Sequence, residues 1–161
     1  MQALVIGFEP FGGDPINPAT EALPQLPPRL GALAVATAIV PTVFGRSLDI
    51  LDAAVAEHDP DIVLGVGLAG GRAALSLERV ALNLDDARIP DMFHGVMHLA
   101  ATRRPAMRGG FLHVPYLPSQ ASRQDGAPSM ALDDIVRGIL IVLETAAVRC
   151  DDIVVAEGAI S

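Results

Sequence analysis

Short apolar runs recur along the chain, and each is bounded by glycine, proline or a charged residue. Continuous apolar runs of this length are typical of strands that are covered on both faces of a sheet. They predict strands at residues 3–6, 32–40, 62–66, 111–114 and 153–156. From Leu75 to Leu84 the apolar positions instead alternate with a period of two, which indicates extended chain.

Apolar residues that recur every three or four positions predict helices between these runs. Asn17, followed by Pro18, is a suitable N-cap for a short helix, and Ser129 is expected to cap a long one. His58 lies in the last predicted turn of its helix, where a cation complements the helix dipole. Helices are therefore predicted at residues 18–23, 44–58 and 92–101 and from 129 onward, with a loop at 117–127.

The length of 161 residues fits a single domain over residues 1–161 that buries a core of its own. The mean hydropathy is +0.43, but the apolar runs are too short to span a bilayer. The N-terminus lacks the basic region of a signal peptide, and the single cysteine, Cys150, excludes an intrachain disulfide. Both features favour a cytoplasmic protein. A net charge of −8 argues against a nucleic-acid partner, which needs a basic face.

One histidine lies where a strand meets a loop. His113 ends the apolar run within the segment 109–116, and Pro115 follows it. Strand ends are where open α/β folds carry their chemistry, and an imidazole titrates near neutral pH. His113 is therefore a candidate general base, although a core histidine with both nitrogens hydrogen-bonded remains an alternative. Phe8 and Phe11, in a glycine- and proline-rich loop, indicate an apolar pocket wall or, alternatively, a plug of the core.

The segment 65–70 contains the pattern G-x-G-x-x-G. A dinucleotide site would require a helix to begin at these glycines, whereas extended chain is predicted there, so we disfavour a nucleotide cofactor. We expect the glycines to allow close approach of a small ligand. Glu78, within the extended stretch, is either an ordinary surface carboxylate or a group that orients a histidine.

A second pair of histidines, His94 and His98, has the i, i+4 spacing that zinc sites use. The metal-binding pattern H-E-x-x-H requires a glutamate after the first histidine, and Gly95 occupies that position. Since no third ligand is suggested nearby, we predict no metal site.

Taken together, the motifs resemble those of the pyrrolidone-carboxylate peptidases, also called pyroglutamyl peptidase I. The blocks that carry the resemblance run over nearly the whole chain: 7–13 with Asn17-Pro18, 41–44, 67–72 and 78–91, and 109–116. The resemblance implies a cytoplasmic three-layer α/β/α sandwich around an open, twisted, mostly parallel sheet. It also implies a homotetramer that needs no cofactor.

The activity implied by the resemblance is removal of an N-terminal pyroglutamyl residue from peptides by a cysteine nucleophile. His113 would be the base, Glu78 the acid that orients it, and Arg88 a cation near the scissile carbonyl. Around the substrate, the resemblance places Phe8 and Phe11 against the lactam ring, with Asn17 and Leu68 also in the binding site.

Two departures from the family pattern affect this expectation. Leu68 stands where the family has a glutamine, so an amide that could bond the lactam is replaced by an apolar side chain. Asp91 joins Met92 directly, and the several dozen residues that bear the family's nucleophile have no counterpart between them. Cys150 matches no catalytic motif and is expected to pack at a helix end. The 161-residue chain is therefore expected to be inactive.

Two explanations for this junction stay open. Either the sequence lacks a segment that the natural polypeptide carries, or the polypeptide has a true deletion and is a non-catalytic homologue that retains the ligand pocket. We favour the first, because removal of central structure would leave an unfilled core and unpaired strand edges.

Overall fold

The structure, a computed structural model, describes residues 1–43, 45–78, 104 and 106–149. Strands in this part of the chain form one six-stranded sheet. In chain order they are β1 (Gln2–Phe8), β2 (Arg29–Leu30), β3 (Leu33–Val40), β4 (Ile62–Leu68), β5 (Ser76–Glu78) and β6 (Arg108–Val114).

Four central strands of the sheet are parallel, and short antiparallel strands flank them. The order across the sheet is β2-β3-β1-β4-β6-β5, with β2 and β5 antiparallel to their neighbours. The parallel strands therefore present their carboxyl ends along one edge of the sheet, where open α/β folds bind ligands.

Four helices lie in the described part of the chain, and the apolar spacing predicted three of them. They are α1 (Pro18–Ala22), α2 (Arg46–His58), α3 (Pro118–Ala121) and α4 (Leu132–Val148), with a 3-10 turn at Leu23–Gln25. Asn17 caps α1 as predicted, since its side chain accepts a hydrogen bond from the Ala19 N–H at 3.0 Å.

Two predictions for the segment after β6 are wrong. Residues 117–127 include the helix α3 rather than a loop alone. Ser129 does not cap the long helix, because α4 begins three residues later with Ala131 at the N-cap position. The reason is a long-range backbone contact: Tyr116 and Ser129 form a bridge, and the Met130 N–H donates to the Tyr116 carbonyl at 2.9 Å. This contact keeps the chain extended at the residues where the helix was expected to start.

The core lies on both faces of the sheet. Successive residues of β1 alternate between two apolar clusters, with Ala3 and Val5 in one and Leu4 and Ile6 in the other. Helices α1 and α4 cover the first face, and α2 covers the second. The predicted three-layer α/β/α sandwich around a mostly parallel sheet is thereby confirmed.

Several predicted elements lie outside the described residues: the helix at 92–101, the strand at 153–156 and the extended chain beyond Glu78. The assignment of residues 1–161 to one domain stays a prediction. Among the described helices, none combines the length and apolar character that crossing a membrane requires.

Candidate active site

A cavity of about 200 Å³ opens at the carboxyl ends of the parallel strands. It is lined by Phe8, Phe11, Thr42, Gly67, Leu68, Phe111 and His113. These residues come from β1, β4 and β6, from the loop after β1 and from the turn after β3. Most of the lining is apolar, and an imidazole lies at its border. This composition suits a compact ligand with an apolar ring and a polar group to be acted on.

His113 and Glu78 are in hydrogen-bonding contact at this edge. The strand β5 runs antiparallel to β6, and Glu78 lies opposite Phe111, two residues from His113. From this diagonal position, Oε1 of Glu78 lies 2.8 Å from Nε2 of His113. Because a carboxylate only accepts hydrogen bonds, Nε2 carries the proton in this contact.

The other ring nitrogen of His113 has a different environment. Nδ1 is buried and has no hydrogen-bond partner within the described residues. A core histidine would have both nitrogens bonded, so this geometry favours the base over the structural alternative. In the tautomer that Glu78 selects, Nδ1 carries a lone pair and can accept a proton.

The ring of Phe111 supports His113 from the same strand. The two ring centroids are 5.0 Å apart and the planes are tilted by 52°. Phe111 in turn contacts Phe8, with centroids 6.1 Å apart. The imidazole is therefore held by an aromatic neighbour on one side and a carboxylate at Nε2.

The two phenylalanines of the first loop form a cavity wall, as the pocket interpretation predicted. Phe8 ends β1, and Phe11 is 45% exposed, which excludes a plug of the core for Phe11. Both line the cavity together with Leu68 at the end of β4. At this position Leu68 presents an aliphatic side chain where an amide would have offered hydrogen bonds.

The glycines of the G-x-G-x-x-G pattern make room for aromatic rings. A Cβ atom on Gly65 or Gly67 would lie 2.5 or 2.7 Å from the Phe111 ring, and one on Gly70 would lie 2.3 Å from the Tyr116 hydroxyl oxygen. Gly65 and Gly67 are within β4 and begin no helix. The rejection of a dinucleotide site is therefore supported, but the expectation that these glycines admit a ligand is wrong for Gly65 and Gly70.

Asn17 is fully buried and does not line the cavity. Besides capping α1, its amide Nδ2 donates to the Glu9 carbonyl at 3.3 Å, which fixes the loop that bears Phe11. The same loop is tied to α3, because Nε2 of the fully buried Gln120 donates to Asp14 at 2.9 Å and to the Ile16 carbonyl at 3.2 Å. The hydrogen bond from Gln120 lowers the pKa of the Asp14 carboxyl below its ordinary value.

Other candidates lie outside the described residues: Arg88, the pair His94 and His98, and Cys150. Among the residues that are described, no group of three or more histidine, cysteine, aspartate or glutamate side chains could hold a metal ion.

The sequence interpretation did not single out Arg72, whose guanidinium Nη2 lies 3.6 Å from Oε1 of Glu78. It also assigned no site role to Thr42 or to the Phe111 ring, both of which line the cavity. Thr42 belongs to the block 41–44 that carried the family resemblance, and this resemblance could have indicated that Thr42 lies at the site. Arg72 follows the glycine pair of its own block, but its proximity to Glu78 depends on the turn between β4 and β5.

A family model described as pyroglutamyl peptidase matches the chain over residues 1–93 and 92–149. The chain belongs to the pyroglutamyl peptidase family. The pyrrolidone-carboxylate peptidase of Brevibacillus brevis is 37% identical to it, and the alignment covers 98% of each chain. The crystal structure of pyroglutamyl peptidase I from Bacillus amyloliquefaciens is similar, with a TM-score of 0.87, 35% identity and coverage of 94% of this chain and 97% of that one. Pyrrolidone carboxyl peptidase from Pyrococcus furiosus has a TM-score of 0.83 at 30% identity, with coverage of 91% and 98%.

The family match is divided into two blocks. Its two blocks meet at residues 92–93, next to the junction of Asp91 and Met92. The alignment with the Brevibacillus brevis relative extends over 211 positions, whereas this chain has 161 residues, so at least 50 positions hold no residue of this chain.

Proposed function

We propose that the natural polypeptide is a cysteine peptidase that removes the N-terminal pyroglutamyl residue from peptides, with a cysteine nucleophile that lies outside these 161 residues. The observation that carries the proposal is the His113–Glu78 pair beside an apolar cavity, with Nε2 bonded to the carboxylate and a buried Nδ1 that no described residue hydrogen-bonds. Membership of the pyroglutamyl peptidase family supports the substrate class.

In this proposal His113 moves a proton in two directions. Nδ1 takes the proton of a cysteine thiol, and the resulting thiolate attacks the carbonyl carbon that joins the pyroglutamyl residue to the next residue. The imidazolium, stabilised by Glu78, then gives its proton to the leaving amine. Water hydrolyses the thioester with His113 as base, which releases pyroglutamate and restores the thiol. Arg88 would stabilise the negative charge that develops on the carbonyl oxygen.

The lactam ring would occupy the cavity between Phe8 and Phe11. Apolar ring faces favour the methylene groups of the lactam, which removes apolar surface from water. Leu68 would contact the same ring without offering a hydrogen bond. Asn17 would act on lactam binding indirectly, because its hydrogen bond to the Glu9 carbonyl fixes the loop that carries Phe11.

The nucleophile would come from a segment between Asp91 and Met92 that the 161-residue chain lacks. The divided family match supports this location, and the length of the alignment with the Brevibacillus brevis relative supports the existence of such a segment. Without a thiol at Nδ1 of His113, the base has nothing to activate, so the 161-residue chain should bind the lactam but not hydrolyse the peptide bond.

The test compares the 161-residue chain with a restored chain. The restored chain receives, between Asp91 and Met92, the segment that the Brevibacillus brevis relative carries there. Release of a reporter amine from a pyroglutamyl amide is expected from the restored chain alone, and a thiol-alkylating reagent should abolish it. His113→Ala should lower the rate by at least about 10²-fold, whereas Cys150→Ser, the matched control, should leave it unchanged. A folded restored chain without thiol-sensitive turnover would refute the proposal.

A second candidate is a non-catalytic homologue that retains the ligand pocket, and Leu68 in the cavity lining favours it. This candidate predicts that the polypeptide purified from its natural source binds pyroglutamate without hydrolysing pyroglutamyl amides. Hydrolysis by that natural polypeptide would exclude it.

We also propose a cytoplasmic location and a homotetramer. The family resemblance supports both, and the sequence features that favour a reducing compartment support the first. Light scattering of the purified chain tests the tetramer, which predicts a mass four times 16.8 kDa.

A further inference from the structure

We infer that Arg72 is a positioning residue that holds Glu78 against His113, an inference that rests on the proposed function. The inference rests on the two contacts of one carboxylate oxygen. Oε1 of Glu78 lies 2.8 Å from Nε2 of His113 and 3.6 Å from Nη2 of Arg72, so this oxygen has a proton donor and a cation as neighbours.

Glu78 needs such support because of where it lies. It is the last residue of a three-residue strand at the edge of the sheet, and its side chain is 38% exposed. A carboxylate in this position can turn toward water at small cost, since an exposed ion pair gains little by itself. The cationic contact from Arg72 to the same oxygen favours the rotamer that reaches His113.

The backbone fixes the position of Arg72. The Ala69 N–H donates to the Val114 carbonyl at 2.9 Å, which ties the start of the turn to β6, and the Arg72 N–H donates to the Ala69 carbonyl at 3.4 Å. Gly71 has a φ of +84°, a conformation that other residues rarely adopt. The turn therefore directs the chain back toward β5 immediately before Arg72.

The other end of the segment is also anchored. Leu75 packs so closely on α4 that a Cβ atom at Gly138 would lie 2.0 Å from its Cδ1. Arg72 and Glu78 thus flank a short connection that is fastened to β6 on one side and to α4 on the other. Because both ends of this connection are fixed, the fold itself brings the side chains of Arg72 and Glu78 together.

The role is positional. Arg72 does not touch the reacting atoms in this geometry; it acts on His113 through Glu78. With the carboxylate held at Nε2, the neutral ring keeps the proton on Nε2 and leaves the lone pair on Nδ1, where the thiol proton must go. Without Arg72, Glu78 would spend more time turned to solvent and the proton would distribute between both nitrogens.

The tautomer of His113 is measurable without turnover, by ¹⁵N NMR of the histidine-labelled 161-residue chain at a pH where the ring is neutral. The signals of the four histidines are assigned by comparison with His113→Asn. Arg72→Met should reduce the ratio of the Nε2–H to the Nδ1–H tautomer about two- to fivefold, the effect of losing one partly exposed charge contact. Arg72→Gln, a second neutral variant of similar length, should do the same.

Arg72→Lys should restore most of the ratio, because a single oxygen does not require the planar guanidinium. The matched control is Arg137→Met, which removes an exposed arginine on α4 and should leave the ratio unchanged. An unchanged ratio in folded Arg72→Met and Arg72→Gln would overturn the inference about Arg72 alone. If His113 of the unsubstituted chain lacks the Nε2–H tautomer, the assignment of the base under the proposed function fails instead.

Discussion

Substitution of Gly65 by alanine tests the close packing beneath the candidate site. An added Cβ would lie 2.5 Å from Cδ2 and 2.9 Å from Cε2 of Phe111, a rigid and buried ring. Overpacking of this kind costs about 1–3 kcal/mol. Alanine also reduces the conformational entropy of the unfolded chain relative to glycine, which offsets about 0.5–1 kcal/mol of the overpacking cost. Gly65→Ala should therefore lower the free energy of unfolding by about 1 kcal/mol, within a range of about 0–2.5 kcal/mol.

The assay is urea denaturation with a strand glycine as control. A Cβ at Gly110 on β6 would lie 3.9 Å from its nearest neighbours, which is ordinary contact, so Gly110→Ala should be neutral or slightly stabilising. In a Phe111→Leu background the cost of Gly65→Ala should fall by about 1 kcal/mol or more, because the colliding ring is gone. Equal midpoints for Gly65→Ala and Gly110→Ala, or additive costs in the double variant, would refute the packing argument.

Three further predictions concern the loop, a helix end and the cavity. Hydrogen bonding from Gln120 lowers the pKa of Asp14 in the folded chain, so the Asp14 carboxylate stabilises the fold at a pH above the ordinary pKa of 3.8. This stabilisation is lost as the pH falls through the lowered pKa of the folded chain. The free energy of unfolding of Asp14→Asn should therefore depend less on acid pH than that of the control Glu57→Gln. Arg108 donates to the carbonyls of Ala146 and Arg149 at the end of α4, so Arg108→Met should lower the free energy of unfolding by about 1 kcal/mol, a loss that would be contradicted by an unchanged urea midpoint. Leu68→Gln should tighten pyroglutamate binding about fivefold in calorimetry by adding one hydrogen bond, and weaker binding would argue against contact with the lactam.

Elements that depend on residues close to one another in the sequence were predictable from it. The continuous burial of β1, the Asn17 cap of α1 and the helix ending at His58 all rest on local spacing and side-chain chemistry. Ser129 failed as a cap because Tyr116, on a distant stretch of backbone, holds the chain extended at that position. Local signals carry no information about such a contact.

Some residues of the candidate site were likewise predictable from the sequence, and others were not. His113 could be proposed from its place at the end of an apolar run, and the family resemblance then supplied Glu78 as its partner. The role of Gly65 could not be predicted, because it depends on the ring of Phe111 on a strand that pairs with β4 only in the folded chain. Arg72 was missed for a related reason, since its approach to Glu78 is produced by the turn after β4 and not by sequence spacing.

The most direct test of the central claim locates the nucleophile chemically. A pyroglutamyl chloromethyl ketone, which alkylates a thiolate in the substrate site, is added to the restored chain and to the 161-residue chain, and the adduct is mapped by peptide mass spectrometry. The account predicts one adduct on the cysteine of the inserted segment, its formation slowed by His113→Ala, and no adduct on the 161-residue chain. Labelling of Cys150 at a comparable rate in both chains, or no labelling of a folded restored chain, would contradict it.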